Sequence, residues 1–256
     1  MLSTRTCAPK LADPDIDREA AAWDELGRRD PHWAILSEPG RQGSWDDGEF
    51  FATGRAEIDT TLTELGARLT ARASALDFGC GLGRLSQALA VHFDSVTGVD
   101  VAASMVEGAR ARNAFPDRVS YVVNTAATLP FDDATFDFAY SILVLQHIPP
   151  KAAAGYISEL VRVLRPGGVV VFQELSHRAP TVRNAVLRVV PNAVLKALRR
   201  ARRGWAAPMT MDGVPRRQVT ALVAAAGGEV VEVRADASGE PVWKGYRYTV
   251  RRLPAR

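Results

Sequence analysis

A doubly wound α/β sheet is predicted by three observations. Strand and helix patterns alternate over residues 73–172, which calls for a parallel sheet with helices on both faces. In the first unit an apolar run ends in three glycines at alternate positions, Gly79, Gly81 and Gly83, before a helical pattern. Near the C-terminus a helical pattern is followed by two strand patterns, at 230–233 and 246–250, suited to an antiparallel pair that closes the sheet.

The elements follow in order. Residues 1–47 carry Pro9, Pro14, Pro31 and Pro39 with several glycines and read as irregular; Trp23, His32, Trp33 and Trp45 stand out within them. Ile58, Leu62, Leu65 and Leu69 recur at helical spacing and give an amphipathic helix. Ala73, Ala75, Leu76 and Phe78 make the first strand, and Leu85, Ala88, Leu89 and Phe93 the helix after the turn. Residues 95–99 form a second strand ending at Asp100. Residues 120–149 hold a third strand, a Leu129-Pro130-Phe131 turn and a fourth strand opened by Phe136-Asp137. A helix ends at Arg165, Pro166-Gly167-Gly168 breaks it, and a buried strand starts at Gly168. Pro215 opens the last helix, with Val219, Leu222 and Val223 on one face and Gly227-Gly228 after it. The domain plan is a lid segment over 1–70 and a sheet domain over 71–256, with an insertion at 177–211.

The glycine turn carries the chemistry. Glycine tolerates positive φ and lets a ligand approach the backbone. A helix start also presents unpaired N–H groups to an anionic group. Asp77 places a carboxylate just before the turn, for a cationic ligand group. Asp100 lies 17 residues after Gly83, at the tip of the second strand, where a carboxylate suits a ribose diol. A dinucleotide fingerprint needs Gly-x-Gly-x-x-Gly/Ala, yet the last position falls on Arg84 or on Ser86.

The spacing Asp-x-Gly-x-Gly-x-Gly resembles the first motif of class I S-adenosylmethionine-dependent methyltransferases. Asp100, the Leu-Pro-Phe turn and the Arg165-Pro166-Gly167-Gly168 turn continue the resemblance in order, over about residues 76–174. The similarity is to the small-molecule, quinone-biosynthesis-like members. It implies a Rossmann-like seven-stranded sheet, mostly parallel with an antiparallel C-terminal strand, and S-adenosylmethionine as cofactor. It implies cofactor contacts at Asp77, Gly79, Cys80, Gly81, Gly83, Arg84, Asp100, Val101, Met105, Thr125, Ala126 and Ser141. Met105 stands where the family packs a side chain on adenine. One departure is plain: the family's acid-alanine pair is Thr125-Ala126 here, with Asn124 in front.

Composition fits one decorated domain: 256 residues, 47% hydrophobic and 24% charged. No apolar run is long enough to span a bilayer, and the first residues lack an apolar signal core. Cys7 and Cys80 are the only cysteines and have no zinc spacing, so no metal is expected. The expectation is a cytoplasmic protein. The insertion at 177–211 carries eight basic residues and no acid. Val182, Val186, Val189, Val190, Val194 and Leu198 give it an apolar stripe. It reads as a packed helix with a solvated basic face, as a cap that meets an anionic acceptor, or as a peripheral membrane contact. A net charge of only +3 gives no global field for nucleic acid.

Methyl transfer from a sulfonium is an in-line displacement, so the protein aligns the nucleophile and excludes water. Residues past the fourth and fifth strands are the candidate substrate contacts: Gln146, His147, Glu174 and His177. His147 is placed best for a base, by position and titration range, with a structural histidine as the alternative. Ser141-Ile142-Leu143-Val144 stands where enzymes that methylate base amino groups carry Asn/Asp-Pro-Pro-Tyr/Phe. The expected function is methylation of an oxygen or nitrogen on a small or medium-sized metabolite. The alternatives are a dinucleotide-dependent oxidoreductase, disfavoured by the lack of a Tyr-x-x-x-Lys pair, and a noncatalytic binding module on the same fold.

Overall fold

A computed structural model describes residues 14–180 and 211–254. The N-terminal stretch is more regular than its prolines suggest. Helix α1 spans Pro14–Arg29 and α2 spans Pro31–Ile35. Pro31 sits in the first turn of α2, where an N–H is not needed. Asp30 caps that helix by accepting the Trp33 N–H at 3.2 Å. Asp46 does the same for α3, Asp47–Leu65, by accepting the Glu49 N–H at 2.9 Å.

The sheet domain then alternates. It runs β1 (Ser74–Phe78), α4 (Arg84–Leu89), β2 (Ser95–Asp100), α5 (Ala103–Ala111), β3 (Val119–Val123), β4 (Phe136–Ser141), α6 (Pro150–Arg162) and β5 (Leu164–Arg178). The described chain closes with α7 (Arg216–Ala225), β6 (Gly228–Asp236) and β7 (Trp243–Arg252). The seven strands lie in the order β3-β2-β1-β4-β5-β7-β6. Strands β1 to β5 pair in parallel, and β7 runs antiparallel to both β5 and β6. The sheet is the one expected.

Alternation of side chains along each strand divides the core into two layers. Leu76 and Phe78 of β1 join Ile157 and Leu160 of α6 and Val219 and Val223 of α7 on one face. Ala75 joins Ile58 and Leu62 of α3, Leu85 and Leu89 of α4, and Val106 of α5 on the other. A third cluster, with Leu26, Ala34, Phe50, Leu82, Ala102 and Met105, fastens α1 and α2 over the first βα turns.

Two boundaries depart from the expectation. Helix α6 stops at Arg162, not Arg165, because Leu164 already pairs with Phe136 of β4. Arg162 is spent on its surroundings, donating to the Phe131 and Leu129 carbonyls and to Glu159 and Asp133. Strand β5 continues through His177 and Arg178, which pair with Lys244 and Trp243. The insertion therefore starts later than 177. Its stretch 181–210, with the apolar stripe and seven of the eight basic residues, lies outside the described residues. No helix among the described residues is long and apolar enough to cross a membrane.

Candidate active site

Strand order reverses between β1 and β4, and in an open α/β sheet a ligand crevice forms past the C-terminal strand ends at that point. A cavity of about 960 Å³ opens there, a volume suited to a cofactor-sized ligand. Its floor comes from the ends of β1 and β2: Gly79, Cys80, Gly81, Asp100 and Val101. One wall is the stretch after β4, with Leu143, Val144, Gln146 and His147. The roof is α1 and α2, through Trp23, Leu26, Trp33 and Ile35.

Three glycines make this junction possible. Gly79, Gly81 and Gly83 stand at φ of +82°, +50° and +79°, where a Cβ is strained. A Cβ on Gly79 would meet Val144 Cγ2 at 2.1 Å, and one on Gly81 would meet Ile35 Cδ1 at 2.5 Å. The turn thus admits the β4 loop and the α2 roof against its backbone. The N–H groups of the three glycines are spent within the fold. Gly79 donates to the Val99 carbonyl, Gly81 to Asp100 Oδ2 and Gly83 to the Cys80 carbonyl, each at 2.8 Å. They tie the turn to β2 and to itself.

Asp100 is the best-prepared polar group on the floor. Oδ2 accepts the Gly81 N–H at 2.8 Å and Oδ1 the Ala102 N–H at 2.9 Å. A carboxylate has about four acceptor sites, so these bonds leave capacity for a ligand. Burial pushes the Asp100 carboxyl above its ordinary range, against the pull of those N–H groups. Asp77 lies beneath the turn, fully buried. Its Oδ2 accepts the Ser86 hydroxyl at 2.6 Å, Oδ1 has no hydrogen-bond partner, and burial lifts the carboxyl to about 6. Arg84 reaches the wall from α4. Its guanidinium donates to Thr53 Oγ1 at 3.2 Å, and its Nε is buried without a partner. Burial draws its proton affinity down, while Asp77 and Glu57 raise it.

Behind the wall runs a row of amides. Leu143 stands at φ +62° and donates its N–H to Gln173 Oε1 at 3.1 Å. Gln173 Nε2 donates to Gln146 Oε1 at 3.0 Å, and Gln146 Nε2 lies 3.0 Å from His147 Nε2. The imidazole meets the edge of Trp23, ring centroids 5.1 Å apart.

Of the residues predicted from sequence, the cavity brings together Gly79, Cys80, Gly81, Arg84, Asp100, Val101, Met105, Gln146 and His147. Asp77, Gly83, Thr125, Ala126, Ser141, Glu174 and His177 are not on its wall. Asp77 and Gly83 are consumed inside the turn. Asn124, not Thr125, turns inward, and it holds the loop by donating to the Ala126 and Thr128 carbonyls at 3.2 Å. Ser141 and Glu174 are buried in the sheet, and His177 sits on β5 with Nδ1 3.2 Å from Ser176 Oγ. Of the N-terminal aromatics, Trp23 and Trp33 line the cavity, whereas Trp45, Phe50 and Phe51 pack together beneath the roof. Sequence reasoning missed Ile35, Asn124, Leu143 and Tyr156 as wall residues, and no local pattern marks them. No group of three or more His, Cys, Asp or Glu among the described residues is disposed to hold a metal ion.

Residues 76–172 match the family described as "Methyltransferase domain". An O-methyltransferase of Aspergillus sclerotiorum is 35% identical over 139 residues, 52% of this chain and 52% of that protein. A malonyl-acyl-carrier-protein O-methyltransferase of Salmonella typhimurium is 37% identical over 156 residues, 58% of this chain and 59% of its own. The chain spans about half the length of the first curated relatives it matches, 49–61%. Among solved structures, magnesium protoporphyrin IX methyltransferase from Synechocystis superposes with a TM-score of 0.62 at 17% identity, covering 93% of this chain and 100% of that one. A protein named a 4+2 cyclase superposes at 0.63, also at 17% identity, covering 96% and 100%. These likenesses show the fold, and a fold does not fix a reaction.

Proposed function

We propose that this chain is a class I S-adenosylmethionine-dependent methyltransferase, on the match of residues 76–172 to a methyltransferase domain, and that it transfers a methyl group to an oxygen of a small or medium-sized acceptor. The observation that carries the reading is Asp100 on the floor of the crevice, held by backbone N–H groups with acceptor capacity left over. That arrangement suits two hydroxyls of a ribose. When bound, the cofactor supplies a methyl made electrophilic by its sulfonium.

The remaining residues fit the group around that anchor. Met105 is buried on the same wall and gives an adaptable apolar contact for a purine. Asn124 lines the cavity in place of Thr125 and, with its amide tied to its own loop, shapes that wall. Arg84, the arginine among the described residues lining the cavity, is the cation for a carboxylate of the ligand. Asp77 and Gly83 shape the turn from within. Helices α1 and α2 are the lid of a segment reaching to residue 70, and they exclude water from the crevice. The acceptor enters between this lid and the β4 loop. The basic run at 183–203 extends the reading to an anionic acceptor, and two cysteines in 256 residues suit a reducing cytoplasmic setting.

Oxygen is the favoured acceptor atom because both relatives above are named O-methyltransferases. The test is transfer of label from a methyl-labelled donor to a panel of carboxylic acids, phenols and amines. Label on an oxygen acceptor is expected. Tight S-adenosylhomocysteine binding with no transfer to any acceptor would leave the binding-module reading. The lid is tested separately. Trp23→Ala removes the ring that covers His147 and roofs the cavity. It should weaken S-adenosylhomocysteine binding or raise the acceptor KM by about fivefold, since an aromatic contact contributes roughly 1 kcal/mol beyond its area. Unchanged values for both would make the roof decoration.

A further inference from the structure

The direction of each hydrogen bond in the amide row is fixed from one end. The Leu143 N–H can only donate, so the Gln173 atom facing it is the amide oxygen. The Gln173 nitrogen then faces Gln146 and donates to Oε1. Gln146 must turn its own nitrogen to His147 Nε2. Flipping Gln146 would set two NH₂ groups against each other. Flipping Gln173 would set an NH₂ against the Leu143 N–H. Gln146 and Gln173 are almost fully buried, at 4% and 1% exposure, so a reversed pair would have no water to repair it.

We infer that Gln173 and Gln146 are positioning residues that hold His147 in the neutral tautomer with its proton on Nδ1. The Nε2 lone pair is occupied by the Gln146 amide, so Nε2 cannot take a proton unless this bond breaks. The same row holds Leu143 in a left-handed conformation that a branched side chain avoids. Wall and ring are therefore set together from β5. His147 meets the ligand as a neutral, fixed ring beside Trp23, in a cavity whose charged wall residues, among the described residues, are Glu19, Glu38, Arg84 and Asp100. An acceptor oxygen that reacts here arrives already ionised, as a carboxylate or acidic enol or phenol does, or gives its proton to a group other than Nε2. This last step rests on the methyl-transfer reading; the tautomer does not.

The experiment reads the ring directly. Long-range ¹H–¹⁵N correlations on the full ¹⁵N-labelled chain distinguish Nδ1–H, Nε2–H and imidazolium, and His147→Asn identifies the signal to follow. The expected pattern at neutral pH is Nδ1–H. An Nε2–H or doubly protonated ring overturns the inference. Gln146→Glu is the second arm. A carboxylate can only accept, so the proton should move to Nε2, and an unchanged pattern would also count against the relay. In turnover, the wild-type pH profile should lack a limb owed to His147, and Gln146→Glu should gain one. An Nδ1–H ring in a protein that methylates nothing would leave the relay standing and overturn the proposed reaction instead.

Discussion

Replacing Glu174 by Gln should make the protein more stable at pH 8 than the wild type, by on the order of 4 kcal/mol relative to their difference at pH 4. Glu174 is 1% exposed on β5, and neither carboxyl oxygen is in a well-formed hydrogen bond. Burial lifts it to about 8; the nearby Leu175 and Val214 N–H groups oppose the rise, and Asp212 adds a smaller push upward. In the unfolded chain the group titrates at its ordinary value, near 4.5. Below that value both states carry the proton, and no stability is lost. Between about 4.5 and 8 the unfolded state gives up its proton while the folded state keeps it, so stability falls by roughly 1.4 kcal/mol per pH unit. Above the folded value the loss is complete. Gln has the same shape and carries the same unpaired polar cost, but does not titrate. The gap between variant and wild type should therefore open with pH across that window. Denaturant midpoints at several pH values measure it. Parallel curves would show that Glu174 finds a partner in solution.

The same residue shows where sequence reading stops. Glu174 was expected in the substrate site because it follows the fifth strand. Strand β5 is longer than its apolar run, however, and it carries Glu174 into the sheet opposite Tyr246 of β7. The features that were legible are local in sequence. The glycine spacing, the acid at the tip of β2, and the alternation of strands and helices each follow from steric or hydrogen-bonding demands within a few residues. They suffice for the sheet and for the cavity floor. The roof and the wall depend on distant packing. Ile35 reaches Gly81 only because α2 folds back over the turn, and Trp23 finds His147 across 124 positions, from 23 to 147. Nothing near either residue encodes that meeting. Asn124 and Thr125 differ for a similar reason. Strand β3 ends at Val123, and the loop turns at Asn124 to satisfy its own carbonyls, which leaves the inward side to the residue before the expected one.

Asp100→Ala should weaken S-adenosylhomocysteine binding by about 10- to 100-fold, the loss of a charge-assisted contact worth roughly 1.5–3 kcal/mol. The side chain does two things at once, and the measurement has to separate them. Its oxygens bind the Gly81 and Ala102 N–H groups and so brace the glycine turn against the start of α5. The residue also lines the cavity, with acceptor capacity left on its carboxylate. Alanine removes both functions. Asparagine keeps the size and one acceptor oxygen, so it preserves part of the brace but forfeits the negative charge and one of the two acceptors a diol needs. If the carboxylate reads the ribose, both variants lose affinity by calorimetry, and asparagine does so with little change in thermal midpoint. If Asp100 only braces the turn, affinity follows stability: alanine is weak on both counts and asparagine is near wild type on both. The pH dependence has a sign as well. Burial raises the Asp100 carboxyl above its ordinary range, so acidification should cost the wild type affinity sooner than an exposed aspartate would, and should cost the alanine variant nothing through this group. Unchanged affinity in Asp100→Ala, or tight NAD binding by the wild type, would overturn the assignment of this crevice to S-adenosylmethionine.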